Sequence, residues 1–195
     1  WAHAGHGGAW SYDPGRARDL LDEAGLRPDA QGRRLRVEYR TSQDETSVAV
    51  AMVMRRQLLA VGIELEVRST EWGVFFADIK HGDFDAYTLT GVGLNDPDWF
   101  SFVLESRAVP PDGANRGRFA SPALDALLER GRRTIEVDER AAIYSDVQRI
   151  VAEELPIVPL WHPDNVVVLR RGLQGFELRP DGLMDSLRSA RWEAR

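Results

Sequence analysis

Residues 12–92 alternate between helical and strand periodicity, and this alternation constrains the fold more than any other feature of the chain. Residues 12–25, YDPGRARDLLDEAG, open with Asp13 as a side-chain cap and Pro14 in the first turn. Ala17, Leu20, Leu21 and Ala24 then recur at helical spacing until Gly25 stops the run. Residues 33–41 set Leu35, Val37 and Tyr39 against Arg and Glu, the pattern of a strand with one polar face. Residues 44–61 return to helical spacing, with Val48, Met52, Leu59 and the alanines expected inward, Arg55 and Arg56 in water, and Gly62 at the end. Ile63, Leu65 and Val67 alternate again, and residues 71–80 place Trp72, Phe75, Phe76 and Ile79 on one stripe, read as core. Phe84, Ala86, Tyr87, Leu89 and Val92 form a third apolar, β-competent run. Helix followed by strand, three times over, predicts an α/β fold. Residues 33–41, 63–68 and 85–90 should lie side by side in a parallel sheet with right-handed crossovers.

The second half is richer in helix. Residues 105–118 are a polar loop containing Pro110, Pro111 and Asn115. Ser121 and Pro122 open a helix with Leu124, Leu127 and Leu128 inward, and Asp138 opens another with Ile143, Val147, Ile150, Val151 and Leu155 inward. Pro156 and Pro159 flank Ile157 and Val158, which read as an edge strand, and residues 165–170 carry a further β run, Val166 to Leu169. Residues 171–195 scatter Leu173, Phe176, Leu178, Leu183, Met184, Leu187 and Trp192 among charges with no sustained period.

The third strand ends in Thr90-Gly91-Val92-Gly93, where two glycines can turn the chain and leave backbone amides uncovered. Asn95-Asp96-Pro97-Asp98 follows, with Asp96 expected as a helix cap and Pro97 at the first helical position; Trp99 and Phe100 come next. Ligands of open α/β sheets gather beyond the carboxyl ends of strands, and this stretch has that form. It also has the form of an ordinary strand-to-helix connection whose aromatics are core. A net charge of −6, without a basic stripe interleaved with aromatics, argues against nucleic acid. There is no cysteine, so disulfides and thiolate metal sites are excluded, and no apolar run approaches the ~20 residues of a membrane helix. His3 and His6, in a Gly- and Ala-rich opening read as a linker over residues 1–11, are weak evidence for a metal. Asp96, Asp98 and His162 are the one tempting catalytic trio. Their positions are explained by a cap, a first turn and a strand end, and no nucleophile-elbow, zinc or phosphate-loop motif accompanies them. The expectation is no enzyme, no cofactor and no metal.

Several of these stretches together resemble one family, the family 5 extracellular solute-binding proteins of ABC importers, with its oligopeptide-, dipeptide- and nickel-binding members. Residues 12–25 are similar to its YDP-x-x-A-x-x-LL-x-x-AG helix, and residues 50–72 to the following helix, strand and Trp. Residues 82–100 resemble the segment lining the ligand cleft; residues 115–131 and 138–161 resemble the last helical pair and the strand behind it. The likeness runs over roughly residues 10–170 in the family's order. It implies one lobe of a type II periplasmic binding protein, the C-terminal one, over residues 12–170. Residues 171–195 would return toward an N-terminal lobe that this chain lacks, along with any anchor. The opening Trp1-Ala2-His3, without an initiator Met, reads as the interior of a longer protein. The implied function is capture of an extracytoplasmic solute, a peptide or other small molecule, and delivery to a membrane permease from a periplasmic or extracellular position. A non-transport interaction or sensing domain on the same fold is the alternative, ahead of a hydrolase. The ligand residues implied are Thr90, Gly91, Val92 and Gly93 through their backbone, Trp99 and Trp161 as apolar walls, and Asn115 on a loop facing the cleft. Where peptide-binding members place an Asp for the peptide α-ammonium, this chain carries Gly93. That departure implies a neutral or less basic ligand, or a peptide held by backbone bonds alone.

Overall fold

A computed structural model describes residues 1–5, 10–91, 96–162, 164–179 and 182–193. Three helix–strand units come first: α1 (Pro14–Glu23), β1 (Leu35–Ser42), α2 (Glu45–Leu59), β2 (Ile63–Thr70), α3 (Trp72–His81) and β3 (Ala86–Tyr87). Three further helices follow: α4 (Trp99–Leu104), α5 (Pro122–Arg133) and α6 (Val137–Glu154). The caps follow from the sequence. Asp13 and Asp44 accept from the backbone N–H three residues on, at 2.8 and 2.9 Å, and Glu71 accepts from Gly73 at 2.7 Å. Gly82 closes α3 in the left-handed region at φ 90°.

The sheet is parallel, in the order β2-β1-β3. β1 and β2 pair along their full length, from Leu35 opposite Ile63 to Ser42 opposite Thr70. β3 is shorter than its apolar run suggests, with Ala86 and Tyr87 alone in the ladder, opposite Tyr39 and Arg40. Asp85 fastens its entry: its N–H donates to Glu38 O, and its carboxylate accepts from Glu38 N–H at 2.8 Å.

Two apolar cores result. One joins the sheet to α2 through Tyr39, Ala51 and Leu65, flanked by Val37, Met54, Leu58, Ile63, Val67 and Ala86. The other packs α4, α5 and α6 around Leu104, Leu124, Leu128, Tyr144, Val147 and Ile150, with Phe100, Phe119 and Leu127 at its margin. Asp22 and Arg34 pair at 2.5 Å and tie α1 to the head of β1. Residues 1–5, read as linker, lie along α6, where Gln148 bonds to Ala4 N–H and Ala2 O. His6 lies outside the described residues.

Several expectations are corrected. The buried face of α2 is that of Ala51, Met54 and Leu58; Met52 and Leu59 are about half exposed. One residue turns a helix by about 100°, and the small Ala51 is what lets α2 approach the sheet. Trp72 is not core but 54% exposed. Its ring lies 5.7 Å from that of Phe75 and stacks on Phe76 at 5.8 Å, while Phe75 and Ile79 take the buried positions. α4 begins after Asp98, not Asp96, and Asp96 is used elsewhere. Leu155 leaves the core to cap α6 in the left-handed region at φ 49°. Residues 157–158 and 165–170 form no strand among the described residues, and Val166 and Val168 are 81% and 95% exposed. β-competent side chains make a strand only against a partner ladder, and the described residues offer them none. Beyond them, β4 (Leu173–Gln174) and β5 (Arg191–Trp192) pair antiparallel around a 3₁₀ turn at Asp185–Ser189.

Candidate ligand-binding site

Parallel pairing brings the carboxyl ends of all three strands to one end of the sheet. Ser42 closes β1, Thr70 closes β2, and Thr88 to Gly91 leave β3. Thr41 is buried, and the Thr70 hydroxyl is buried without a hydrogen-bond partner. Ser69 donates to Ser42 O at 3.1 Å, so the first two strand ends are joined. Tyr39, 1% exposed, donates its hydroxyl to Thr88 Oγ1 at 2.5 Å and ties the third strand end to the first. Burial pushes the Tyr39 phenol up, and the bond to Thr88 pulls the other way. Thr90 and Gly91, just beyond, are exposed. Val92 and Gly93 lie outside the described residues.

Trp99 stands in the first turn of α4, half-buried, with its ring edge-on to Phe100 at 5.7 Å. Trp161 is 59% exposed on the irregular segment after α6. Asn115 has another task. It is 1% exposed and donates both amide hydrogens to backbone, to Glu105 O at 3.1 Å and Phe119 O at 2.8 Å. Its Oδ1 accepts from Phe119 N–H at 2.9 Å. No amide hydrogen remains for a ligand, so the structure makes Asn115 the organiser of its loop rather than a cleft residue.

Sequence reasoning passed over Arg140 and Tyr144. Their spacing of four on α6 puts them on one helical face, which is the signal that could have flagged them. The Arg140 guanidinium grips Asp96 with two bonds, 2.8 and 2.6 Å, and its Nε donates to Gly131 O at 3.1 Å. It also lies 5.3 Å from the Tyr144 ring centre and 5.2 Å from that of Trp1. The Tyr144 hydroxyl donates to Asp98 at 3.2 Å, as Ser101 does at 2.7 Å. Hydrogen bonding from Arg140 holds the Asp96 carboxyl below its ordinary value, whereas burial, then the charge of Asp98, pushes the Tyr144 phenol up to about 12.

An open, polar groove lies beside β1 and β2, lined by Glu38, Arg40, Val67, Arg68, Ser69 and Thr70. Its charges are paired, Arg40 with Glu38 at 2.8 Å and with Asp78 at 3.1 Å, and Arg68 with Glu66. Among the described residues no group of His, Asp and Glu could hold a metal ion, and no helix is long and apolar enough to cross a membrane.

The middle region of the bacterial extracellular solute-binding proteins, family 5, matches residues 1–108. The chain belongs to that family. It is 31% identical over 177 residues to di/tripeptide-binding protein 2 of Pseudomonas aeruginosa, a match spanning 90% of this chain and 33% of the relative. Di/tripeptide-binding protein 4 of the same organism is 33% identical, over 88% of this chain and 32% of its own length. The family 5 chain described here thus spans about a third of the relatives it matches. Among solved structures, the periplasmic binding protein DppA of Helicobacter pylori, in complex with the peptide STSA, superposes with a TM-score of 0.80 at 23% identity, covering 100% of this chain and 37% of that one. NikZ of Campylobacter jejuni, in complex with Ni(L-His), gives 0.68 at 27% identity over 76% of this chain and 32% of that one. The fold is that of a periplasmic-binding-protein lobe, a parallel sheet flanked by helices.

Proposed function

We propose that this chain is the C-terminal lobe, residues 12–170 with a returning tail at 171–195, of the substrate-binding component of an ABC importer. It captures a small peptide or similar extracytoplasmic solute between itself and a second lobe and passes it to a membrane permease, without covalent chemistry. The observation that carries this reading is the exposure of the chain where it leaves β3. Thr90 and Gly91 are exposed beyond the carboxyl end of a parallel sheet, where α/β folds take ligands. Trp99 and Trp161 serve as apolar walls, and Val92 and Gly93 are the further backbone contacts proposed. The di/tripeptide-binding relatives support a peptide as the ligand class. The exposed Ile157, Val158, Val166 and Val168 support a second lobe that covers the segment after α6.

One lobe supplies about half the contacts of a closed cleft, while association still costs roughly 4 kcal/mol or more. Binding to the 195-residue chain is therefore weak. Titration of the ¹⁵N-labelled chain with trialanine at millimolar concentration tests the assignment. The expected result is shifts concentrated at Thr88 to Gly91 and at the Trp99 indole. Shifts confined to the groove of Glu38 and Arg68, or none anywhere, overturn it.

A further inference from the structure

We infer that Arg140, seconded by Tyr144, is a positioning residue that sets the orientation of the turn entering α4 and thereby places Trp99. Its functional meaning rests on the reading of Trp99 as a ligand wall; the mechanical role stands on its own. α4 has six residues, and its first-turn amides are held by the preceding turn: Trp99 N–H donates to Asp96 O, Phe100 N–H to Pro97 O and Ser101 N–H to Asp98 O, at 3.2, 3.1 and 2.9 Å. A helix this short has little stability of its own. Two of the three residues that supply those carbonyls, Asp96 and Asp98, are held by α6 through their side chains. Asp96 Oδ1 also accepts from Asp98 N–H at 2.8 Å, which closes the turn on itself.

Arg140 is suited to the task because its own place is over-determined. Its Nε is spent on Gly131 O, near the end of α5, so the guanidinium plane is fixed before it meets Asp96. Its side chain is 18% exposed against 50% for Asp96, so the carboxylate is the partner that comes in from solvent. Tyr144, fully buried on α6 against α5, cannot shift to follow a displaced Asp98. A bidentate pair onto a rigid helix defines direction as well as distance, which a single lysine ammonium would not.

Amide hydrogen exchange of the 195-residue chain, read residue by residue, tests the inference. Arg140→Gln is expected to speed exchange at Trp99, Phe100 and Ser101 at least tenfold, equivalent to about 1.4 kcal/mol. Exchange at Tyr39 and Leu65, in the sheet core, should stay within about twofold. Arg140→Lys keeps the charge but loses the fork and should give most of the same effect; Tyr144→Phe should give a smaller one at the same three amides. Uniform acceleration across sheet and helices would mean that Arg140 is merely structural, and unchanged exchange at the three amides would overturn the clamp. The trialanine titration is run on parent and Arg140→Gln together. Loss of the Trp99 shift in the variant, with the Thr90 and Gly91 shifts retained, supports the link to ligand. A parent that gives no shifts refutes the ligand role of Trp99, and the exchange rates then decide the clamp alone.

Discussion

Replacing Asn115 by Ala separates a loop organiser from a ligand contact. The substitution removes three side-chain hydrogen bonds at a position 1% exposed. The Glu105 carbonyl keeps its bond from the Ala108 N–H at 2.8 Å but loses the buried one from Asn115, at about 0.5–1.5 kcal/mol. Phe119 is half-buried, so water can reach its N–H and C=O in part, and each loss there costs roughly 0.5–1 kcal/mol. The sum is about 1.5–3.5 kcal/mol of unfolding free energy. Asn115→Asp is the sharper variant, because it removes both donors and turns a carboxylate toward two carbonyl oxygens. Its carboxyl is favoured neutral in the folded chain, so its folded pKa is raised. The penalty is therefore largest near neutral pH and shrinks as pH falls through that raised value. Urea unfolding followed by circular dichroism reads both variants. A loss below about 0.5 kcal/mol in Asn115→Ala, the range of ordinary surface changes, would refute the reasoning and return Asn115 to the cleft.

Gly131→Ala should destabilise although it improves helix propensity. The new Cβ would meet the buried Tyr144 ring at 2.9 Å, and overpacking of about 1–3 kcal/mol outweighs the ~0.5–1 kcal/mol gained by removing a helical glycine; urea midpoints decide the sign. Glu105 accepts a bidentate pair from Arg132 at 2.7 and 3.0 Å, and this holds its carboxyl below the ordinary glutamate value of 4.5. Its stabilisation is thus present above pH 4.5 and lost as pH falls through the lowered folded value, and Glu105→Gln should flatten the acid limb of a stability–pH profile. Gly93→Asp should tighten binding of peptides with a free amino terminus relative to their N-acetylated forms, by the charge-assisted bonds a carboxylate adds; calorimetry showing no such preference would mean that residue 93 does not meet the peptide amine. Met52→Gln should leave stability within about 0.5 kcal/mol, whereas Ala51→Leu should cost about 1–3 kcal/mol, since Ala51 is buried against the sheet and Met52 is not; urea midpoints compare the two.

Periodicity and punctuation determined the local structure of this protein. Asp13-Pro14, Asp44 and Ser121-Pro122 start helices, and Gly62 and Gly82 end turns, because caps and left-handed positions depend on a few neighbouring residues. The parallel sheet followed from the alternation of periods, since a strand, a helix and a strand connect in few ways. That Thr90 and Gly91 follow the carboxyl end of β3 was legible for the same reason. What needed the tertiary structure is whatever depends on a partner far along the chain. Which face of α2 is buried was decided by how closely Ala51 lets the helix approach β1 and β2, not by the helical period alone. Trp72 shares a stripe with Phe75 and Ile79, yet it sits at the start of α3, beyond the edge of the packed face, and remains exposed. The β-rich residues 165–170 stay unpaired because strand propensity acts only where a ladder is offered. Asp96 reads as a cap from its Asp-Pro-Asp context. Its carboxylate does accept from the Asp98 N–H, but it is also gripped by Arg140, 44 residues on, through two charged bonds from a guanidinium already fixed on Gly131 O, which no local pattern announces.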